Sequence, residues 1–258
     1  MTVGFSVENR VARVTLDRPE RMNAVDAETE RELEAIWLEI EARDDISCVV
    51  LTGAGQKAFC TGADLKGSGT KTGLEYWAES RVNGFGGLAF RKSLDVPVIA
   101  RVNGYALGGG FEMVLGCDIV IAADTARFGL PEARVGRMPL DGGMVLLQRK
   151  IAHNQAMAVM LTGRQFTAAE MQGFGIVNET VPYDELDAAV DRWVGEIVAC
   201  APLSLKAIKQ TVNRTGHLSP AEAQGLRTPA LIRALQSEDA VEGVAAFREK
   251  RAPVWQGR

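Results

Sequence analysis

Two acidic residues, each placed where a helix is expected to begin, are the strongest candidates for catalytic groups in this chain. Glu112 ends the run Gly-Gly-Gly-Phe-Glu that starts at Gly108, and Glu132 follows Pro131 in Phe-Gly-Leu-Pro-Glu. Three glycines in a row leave backbone N–H groups free of side chains, so a ligand oxygen can approach them closely. Bare donors and two carboxyl groups could stabilise negative charge on a carbonyl oxygen and move protons beside it.

The same two acids also have a structural interpretation. Acidic residues in the first turn of a helix interact favourably with the helix dipole, and Pro-Glu is a common helix opening. On spacing alone, this interpretation of Glu112 and Glu132 is the more common one. The preceding glycines favour an anion site instead, because a helix N-terminus reached by bare backbone is suited to negative charge. A tight packing turn between strand and helix would, however, need the same glycines.

A second loop can supply another donor to the same place. Residues 58–65 follow an apolar strand at 49–52, as residues 108–110 follow an apolar strand at 98–102. If the two strands are parallel neighbours, both loops leave the sheet at the edge where ligands of α/β proteins bind. Backbone N–H groups from the two loops could then converge on one oxygen.

The elements that must position these groups alternate between strands and helices through most of the chain. Hydrophobic periodicity predicts strands at 5–8, 11–16, 48–52, 96–102, 119–122 and 176–181. It predicts helices at 27–43, 74–93, 111–116, 143–162, 168–174, 185–200, 203–215, 220–235 and 241–250. The predicted fold class is therefore α/β, with a core at 1–201 and an all-helical region at 202–258.

Composition disfavours several classes of protein. The chain has 258 residues, 47% of them hydrophobic, and a net charge of −4, so it can build one large domain and has no basic surplus for nucleic acid or anionic membrane. Polar and charged residues interrupt the apolar region at 96–123, so no membrane span is predicted. The first residues lack a secretory pattern, and the four cysteines show no paired spacing, which is typical of a cytoplasmic protein.

Neither a metal nor a nucleotide cofactor is predicted. The two histidines, His153 and His217, have no serine, cysteine or acid at a spacing typical of a triad or a zinc site. Residues 53–58 superficially match a dinucleotide-binding turn, but such a turn must open a helix, and the residues that follow make a poor helical run. An ordinary loop is the better interpretation.

Five ordered motifs resemble those of the enoyl-CoA hydratase/isomerase (crotonase) superfamily, and the resemblance runs nearly end to end. They lie at residues 16–24, 59–66, 103–118, 128–143 and 246–255. The resemblance implies a crotonase-like spiral of ββα units with a helical C-terminal region that assembles homotrimers, often paired into homohexamers. It also implies an acyl-CoA substrate, of which coenzyme A is a part, and no further cofactor.

The resemblance assigns expected roles to particular residues. Glu112 and Glu132 match the two catalytic glutamates of hydratases, while Ala63 and Gly109 match the residues whose N–H groups form an oxyanion hole. Further substrate contacts are expected, by match of motif, from Arg21 and Ala24 at the nucleotide, from Ala63, Asp64, Leu65 and Lys66 along the coenzyme A path, and from Phe247 and Lys250 of an adjacent subunit.

The presence of both glutamates favours an enoyl-CoA hydratase, which adds water reversibly across the C2=C3 bond of a 2-enoyl-CoA thioester. The alternatives are other acyl-CoA enzymes of the superfamily: an isomerase, a hydrolase or a dehydratase of the carnitinyl-CoA type. The sequence departs from many hydratases at Leu140 and Asp141, where those carry small residues. Asp141 could bind a polar or cationic acyl group, or could cap the helix that begins near Gly142, which is the more common use of aspartate there.

Overall fold

A computed structural model describes residues 1–64, 72–79 and 81–258 as a mixed α/β structure. Its strands are β1 (Val3–Glu8), β2 (Val11–Leu16), β3 (Cys48–Gly53), β4 (Ala58–Cys60), β5 (Val98–Val102), β6 (Tyr105–Leu107), β7 (Ile119–Ala123), β8 (Arg127–Gly129), β9 (Phe166–Thr167) and β10 (Glu179–Val181). Its helices are α1 (Ala27–Ala42), α2 (Gly73–Ala78), α3 (Gly109–Gly116), α4 (Gly143–Lys150), α5 (His153–Thr162), α6 (Ala168–Phe174), α7 (Leu186–Val198), α8 (Pro202–Thr215), α9 (Pro220–Gly225), α10 (Pro229–Leu235) and α11 (Glu238–Glu249). The predicted α/β class is confirmed.

The larger sheet has the strand order β1-β2-β3-β5-β7-β10, in which β1 and β2 form an antiparallel hairpin and the other pairs are parallel. Its central strands are rich in buried apolar residues because both faces of the sheet are covered. In β3, Val49 and Leu51 belong to one hydrophobic cluster, whereas Cys48 and Val50 belong to the other. Since β3 and β5 are parallel neighbours, the loops that follow them leave the sheet at the same edge.

Three strands of the larger sheet each lead into a short strand of a second sheet. β3 continues into β4, β5 into β6 and β7 into β8, and the smaller sheet has the order β4-β6-β8-β9 with its first three strands parallel. Each of these three short strands is followed by a segment that carries a candidate site residue. The repetition brings residues that are distant in sequence to one edge of the smaller sheet.

The corner between β5 and β6 is fixed by Asn103. Its Nδ2 donates to the carbonyl oxygens of Gly53 (2.9 Å) and Ala58 (3.0 Å), which belong to the corresponding corner of the preceding repeat. The next residue, Gly104, lies so close to Lys57 that a Cβ would stand 2.2 Å from the lysine carbonyl oxygen. The close approach and the hydrogen bonds hold the two corners in register.

Beyond α7, the regular secondary structure of the described residues is entirely α-helical. The α8 helix lies against the core, where the ammonium of Lys209 donates to the Val96 carbonyl (2.8 Å) and pairs with Asp118 (2.7 Å). Within the described residues, no helix combines the length and the apolar composition that crossing a bilayer requires. The division into domains at residue 201 stays a prediction.

The helix predicted over 74–93 is much shorter than its sequence pattern indicated. The α2 helix ends at Ala78, and the backbone farther on turns through Gly84, Gly86 and Gly87, whose φ angles are 68°, 61° and 65°. These left-handed conformations cannot continue an α-helix. The carbonyl of Gly86 instead accepts a hydrogen bond from Nε1 of the buried Trp37 (2.8 Å), so the turn packs onto α1.

Two other predicted helices are interrupted, and four strands are absent from the sequence-based prediction. The helix predicted over 143–162 divides into α4 and α5, and the one predicted over 220–235 divides into α9 and α10 before Pro229, which lacks the N–H of a continuing helix. The missed strands are β4, β6, β8 and β9. Each has only two or three residues, too few to show an alternating pattern.

Candidate active site

Two hydrogen bonds anchor the backbone after β4 to Val25 in the N-terminal segment, and the N–H of Ala63 points away from that segment. Val25 N donates to Gly62 O (2.9 Å) and Asp64 N donates to Val25 O (2.8 Å), which makes an isolated parallel bridge between Val25 and Ala63. In such a bridge the partner bonds to the residues before and after Ala63, so the N–H of Ala63 itself points away from Val25. The amide predicted for the oxyanion hole is therefore not used by this bridge.

The loop before α3 passes so close to the loop after β4 that side chains are excluded. A Cβ at Gly62 would lie 3.1 Å from the backbone nitrogen of Gly109, and a Cβ at Gly110 would lie 2.1 Å from the carbonyl oxygen of Cys60. Gly108 has a φ of 55°, a conformation that favours glycine. The two loops therefore meet where the sequence predicted that their backbone donors would converge.

Glu112 is buried in the first turn of α3, with 3% of its surface exposed. Its Oε1 accepts hydrogen bonds from the backbone N–H groups of Asp141 (3.0 Å) and Gly143 (2.8 Å). Burial raises the pKa of Glu112, to about 8, with the carboxylates of Asp141 and Glu132 acting in the same direction and the two N–H donors acting against them. A carboxyl group in this state can hold a proton at neutral pH and exchange it during a reaction.

Glu132 lies in a 3-10 turn, Pro131–Val135, that follows β8. Its Oε1 approaches Gly108, at which a Cβ would stand 3.1 Å away, and its Oε2 is buried with no hydrogen-bond partner among the described residues. Burial raises the pKa of this carboxyl group as well. A buried acceptor without a partner is a costly arrangement that a bound water or substrate can relieve.

Gly108 joins the two glutamates into one site. Its carbonyl oxygen accepts the backbone N–H of Glu112 (3.0 Å), while its α-carbon faces the carboxyl group of Glu132. A buried and a half-buried carboxyl group next to the N-terminus of α3 can divide the roles of acid and base between them. In the described part of the chain, no cluster of three or more potential metal ligands occurs.

The structure contradicts the expectation that Asp141 caps a helix. The α4 helix begins at Gly143, its N-cap is Gly142, and no side chain caps it. Asp141 lies one residue too early to cap, because Gly142 occupies the N-cap position with a φ of 147°. The Asp141 carboxylate, 7% exposed, instead accepts a hydrogen bond from the hydroxyl of Tyr76.

Leu140 and Asp141, the two residues at which the sequence departs from many hydratases, both line a cavity of about 280 Å³. The other lining residues are Tyr76, Trp77, Glu79, Arg81 and Phe90. Sequence reasoning did not single out Tyr76, because it belongs to no motif and lies in a segment interpreted as continuous helix. Its partnership with Asp141 depends on tertiary structure alone.

Two of the predicted coenzyme A contacts, Ala24 and Asp64, are bonded to Arg18. Its guanidinium pairs with Asp64 (3.0 Å) and donates to the carbonyl oxygen of Ala24 (2.6 Å). Asp64 is therefore engaged within the protein, Ala24 is buried, and Arg21 is exposed at the end of a 3-10 turn. Two further predicted contacts lie outside the described residues: Leu65 and Lys66.

Phe247 and Lys250 lie at the C-terminal end of α11. Phe247 is 86% exposed, and Lys250 ends the helix in a left-handed conformation with a φ of 55°. In the described part of the single chain, neither side chain forms a hydrogen bond or ion pair with the other candidate residues. The structure of one chain therefore does not bring these two residues into the site.

Comparison with known proteins gives a consistent result over the full length of the chain. The model of the enoyl-CoA hydratase/isomerase family matches residues 6–258. Carnitinyl-CoA dehydratase of Proteus mirabilis (strain HI4320) is 37% identical over 98% of both chains. Carnitinyl-CoA dehydratase of Escherichia coli K12 is 38% identical over 96% of this chain and 95% of its own.

Solved structures agree with the family model. The enoyl-CoA hydratase of Bacillus anthracis superposes over 100% of both chains with a TM-score of 0.92 at 30% identity. The enoyl-CoA hydratase of Mycobacterium tuberculosis H37Rv covers 100% of this chain and 99% of its own, with a TM-score of 0.88 at 31% identity. The expected crotonase-like fold is thereby confirmed.

Proposed function

The chain belongs to the enoyl-CoA hydratase/isomerase family, and we propose that it is a hydro-lyase that adds water reversibly across the C2=C3 bond of a 2-enoyl-CoA thioester. The observation that carries the proposal is the pair of carboxyl groups on either side of Gly108: that of Glu112, which is buried, and that of Glu132, which is half-buried with its Oε2 enclosed. Two such groups are suited to handling a water molecule and the proton at C2 in the same reaction.

In the proposed reaction, the thioester oxygen of the substrate accepts hydrogen bonds from the N–H groups of Ala63 and Gly109. Water adds to C3 and gives its proton to one carboxylate, while the electron pair of the double bond moves toward the thioester oxygen. The second carboxyl group delivers a proton to C2 as the enolate collapses. The two N–H donors stabilise the enolate, and loss of one such donor typically costs about 3–4 kcal/mol of barrier.

This chemistry needs one ionised and one protonated carboxyl group. Burial raises the pKa of both Glu112 and Glu132. Because neighbouring carboxyl groups ionise one after the other, such a pair retains a single shared proton over a range of pH. No residue outside the pair is required to supply or remove a proton.

A panel of 2-enoyl-CoA thioesters tests the proposal directly. Hydration removes the conjugation of the thioester, so its absorbance should fall, and the 3-hydroxyacyl product should be detected by mass spectrometry. A shifted double bond without uptake of water would identify an isomerase. Release of free coenzyme A would identify a hydrolase, and either result would contradict the proposal.

A dehydratase acting on a cationic 3-hydroxyacyl thioester is the second candidate, and Asp141 favours it. This buried carboxylate accepts a hydrogen bond from the neutral hydroxyl of Tyr76, and no lysine or arginine of the described residues pairs with it. A buried carboxylate is stabilised by a cation within reach, and a substrate such as carnitinyl-CoA, named in the relatives at 37% and 38% identity, carries one.

The two candidates differ in substrate charge, which a pair of thioesters can separate. Crotonyl-CoA and its analogue with a trimethylammonium group share the reacting atoms and differ in the cation. If Asp141 recognises the cation, Asp141→Asn should lower kcat/KM for the cationic thioester and leave that for crotonyl-CoA nearly unchanged. Equal effects on both thioesters would exclude the second candidate.

We further propose assembly into a homotrimer or homohexamer in which the tail completes the coenzyme A site. Large apolar side chains are exposed along the C-terminal helices: Ile232, Leu235, Val241, Val244 and Phe247. Burying them against a partner would stabilise the assembly by about 25 cal/mol per Å². Analytical ultracentrifugation tests the assembly, and a fully active monomer would contradict it.

Lys250 is proposed to contact a phosphate of coenzyme A across the subunit boundary. Lys250→Ala should then raise KM more than it lowers kcat, and the effect should be larger at low salt because the attraction is less screened. An unchanged KM at low salt would remove Lys250 from the proposed site.

The cytoplasm is the proposed compartment. Cys48, Cys60 and Cys117 are buried as free thiols, and Cys200 is free and exposed. Free thiols are typical of a reducing compartment.

A further inference from the structure

The loop at residues 140–143 orients Glu112 and depends on another part of the chain for its own position. The N–H groups of Asp141 and Gly143 both donate to Oε1 of Glu112, so they are not available to tie the loop elsewhere. Between them, Gly142 has a φ of 147°, a conformation largely confined to glycine. Toward its C-terminal side the loop is tied by the N–H of Leu146, which donates to the carbonyl oxygen of Gly142 (2.8 Å); at Asp141 a side-chain contact adds to this.

The side chain that provides the contact is Asp141, whose carboxylate accepts a hydrogen bond from the hydroxyl of Tyr76. We propose that Tyr76 is a positioning residue, which acts through Asp141 to hold the two backbone donors that orient the carboxyl group of Glu112. This inference rests on the proposed role of Glu112 in hydration. It adds a residue that lies in none of the motifs.

Tyr76 is itself held in place by a second contact, with Arg81. The guanidinium of Arg81 lies over its ring, 4.3 Å from the centroid, and pairs with Glu30 of α1 (2.5 Å). A cation on the ring face and an acceptor on the hydroxyl restrain the side chain at both ends. The position of the Glu112 donors is thereby connected to α1 through three side chains.

The hydroxyl of Tyr76 acts as a fixed donor. Burial and the neighbouring Asp141 carboxylate hold the pKa of Tyr76 far above its ordinary value. The hydroxyl therefore keeps its proton throughout the pH range in which a protein is folded. It orients the loop and takes no part in proton transfer.

Tyr76→Phe is the first test, because it removes the hydroxyl and keeps the ring under Arg81. We expect kcat for crotonyl-CoA to fall about tenfold to a hundredfold, the effect of losing a hydrogen bond to a charged group, with KM nearly unchanged. Tyr183→Phe is the matched control, since Tyr183 lies in a 3-10 turn between β10 and α7, and it should leave kcat unchanged. A wild-type kcat in Tyr76→Phe, or a change confined to KM, would overturn the proposal.

A double-mutant cycle tests whether Tyr76 acts through Asp141. Asp141→Ala should lower kcat by a similar factor, and Tyr76→Phe should add little in the Asp141→Ala background. Asp141→Asn keeps an oxygen that can accept from Tyr76 and should lower kcat for crotonyl-CoA less than Asp141→Ala does. Independent, multiplying effects of the two substitutions would contradict the proposed path.

Hydrogen exchange in the free protein separates this inference from the proposed reaction, because it requires no substrate. The N–H groups of Asp141 and Gly143 should exchange faster in Tyr76→Phe than in the wild type or in Tyr183→Phe, as followed by mass spectrometry of peptides that cover 140–143. Faster exchange in a protein that hydrates no thioester would support the inference and refute the proposed function. Unchanged exchange would refute the inference whatever the enzyme's activity.

Discussion

The carboxyl group of Glu132 lies against the backbone of Gly108, at a point where a Cβ would stand 3.1 Å from Oε1. The contact brings an acid that follows β8 to the first residue before α3. This close contact is one reason why residue 108, the first of three consecutive glycines, has no side chain. The φ of 55° that the backbone adopts there is a second reason. The position of Glu132 thus depends on the absence of a side chain in another repeat.

Gly108→Ala should therefore displace the carboxyl group of Glu132 and lower kcat by roughly a hundredfold, since small displacements of catalytic groups can cost that much. The strained φ should also lower the free energy of unfolding by about 1 kcal/mol. Gly175→Ala is a suitable control, because Gly175 has a φ of 87° and open space around it. The free energy of unfolding of Gly175→Ala, measured in urea, should fall by a similar amount, whereas its kcat should equal that of the wild type. Equal kcat values in both variants would argue against the Glu132 contact.

Glu112→Gln and Glu132→Gln should each lower kcat by about 10²- to 10⁴-fold, because an amide cannot exchange the proton. The fold should persist, since the glutamine oxygen at 112 can still accept from the donors of Asp141 and Gly143. Calorimetry with a saturated acyl-CoA should show nearly unchanged binding. Glu28, a first-turn acid of α1, provides the comparison, and Glu28→Gln should retain full activity. Substantial hydration by either site variant would remove that residue from the mechanism.

Gly109→Ala should damage the fold as well as the rate. A Cβ at Gly109 would lie 2.5 Å from the ring of the buried Phe85, so the ring or the helix must move. Overpacking of this kind typically costs about 1–3 kcal/mol of stability. Gly173→Ala in α6, where nothing lies within 4 Å, should be neutral or slightly stabilising. Thermal unfolding of the two variants tests the contrast. An unchanged melting temperature in Gly109→Ala would show that the ring of Phe85 can move without loss of stability.

The raised pKa of Glu112 predicts how stability depends on pH. Because the folded protein holds this proton up to a pKa of about 8 whereas the unfolded chain releases it near 4.5, the folded state binds more protons between these values. Its free energy of unfolding therefore falls as the pH rises through this range. Glu112→Gln lacks this dependence. The melting temperature of the variant minus that of the wild type should therefore increase from pH 5 to pH 8. A constant difference between the two proteins would indicate that Glu112 has an ordinary pKa.

The sequence predicts most reliably what depends on local chemistry. Asp26 caps α1, with its carboxylate accepting from the N–H groups of Glu28 and Thr29. An aspartate that directly precedes a helical apolar pattern is a recognisable cap. The buried strands were recognisable from unbroken apolar runs. The proximity of the loops after β4 and before α3 followed from parallel pairing of β3 and β5, and the structure has that pairing.

What depends on tertiary contact was not predictable in the same way. The partner of Asp141 is Tyr76, and no spacing rule joins a residue of α2 to a residue of a distant loop. The glycines at 84–87 were visible in the sequence, but their left-handed φ angles arise because this turn packs on Trp37 of α1. The roles of Ala63, Gly109 and the tail residues rest on the family resemblance and stay predictions.

The stacking of β4, β6 and β8 has a consequence for how the protein would lose activity. Neighbouring strands of a sheet lie about 4.8 Å apart, and the segments that carry Ala63, Glu112 and Glu132 each begin where one of these strands ends. The spacing of the three backbone segments is thus inherited from main-chain pairing between these strands. Loss of a peripheral side-chain contact such as that of Tyr76 would misorient Glu112 without spreading the segments apart. Inactivation by heat should coincide with cooperative melting of the whole sheet, without an earlier phase in which a folded molecule has a dispersed site.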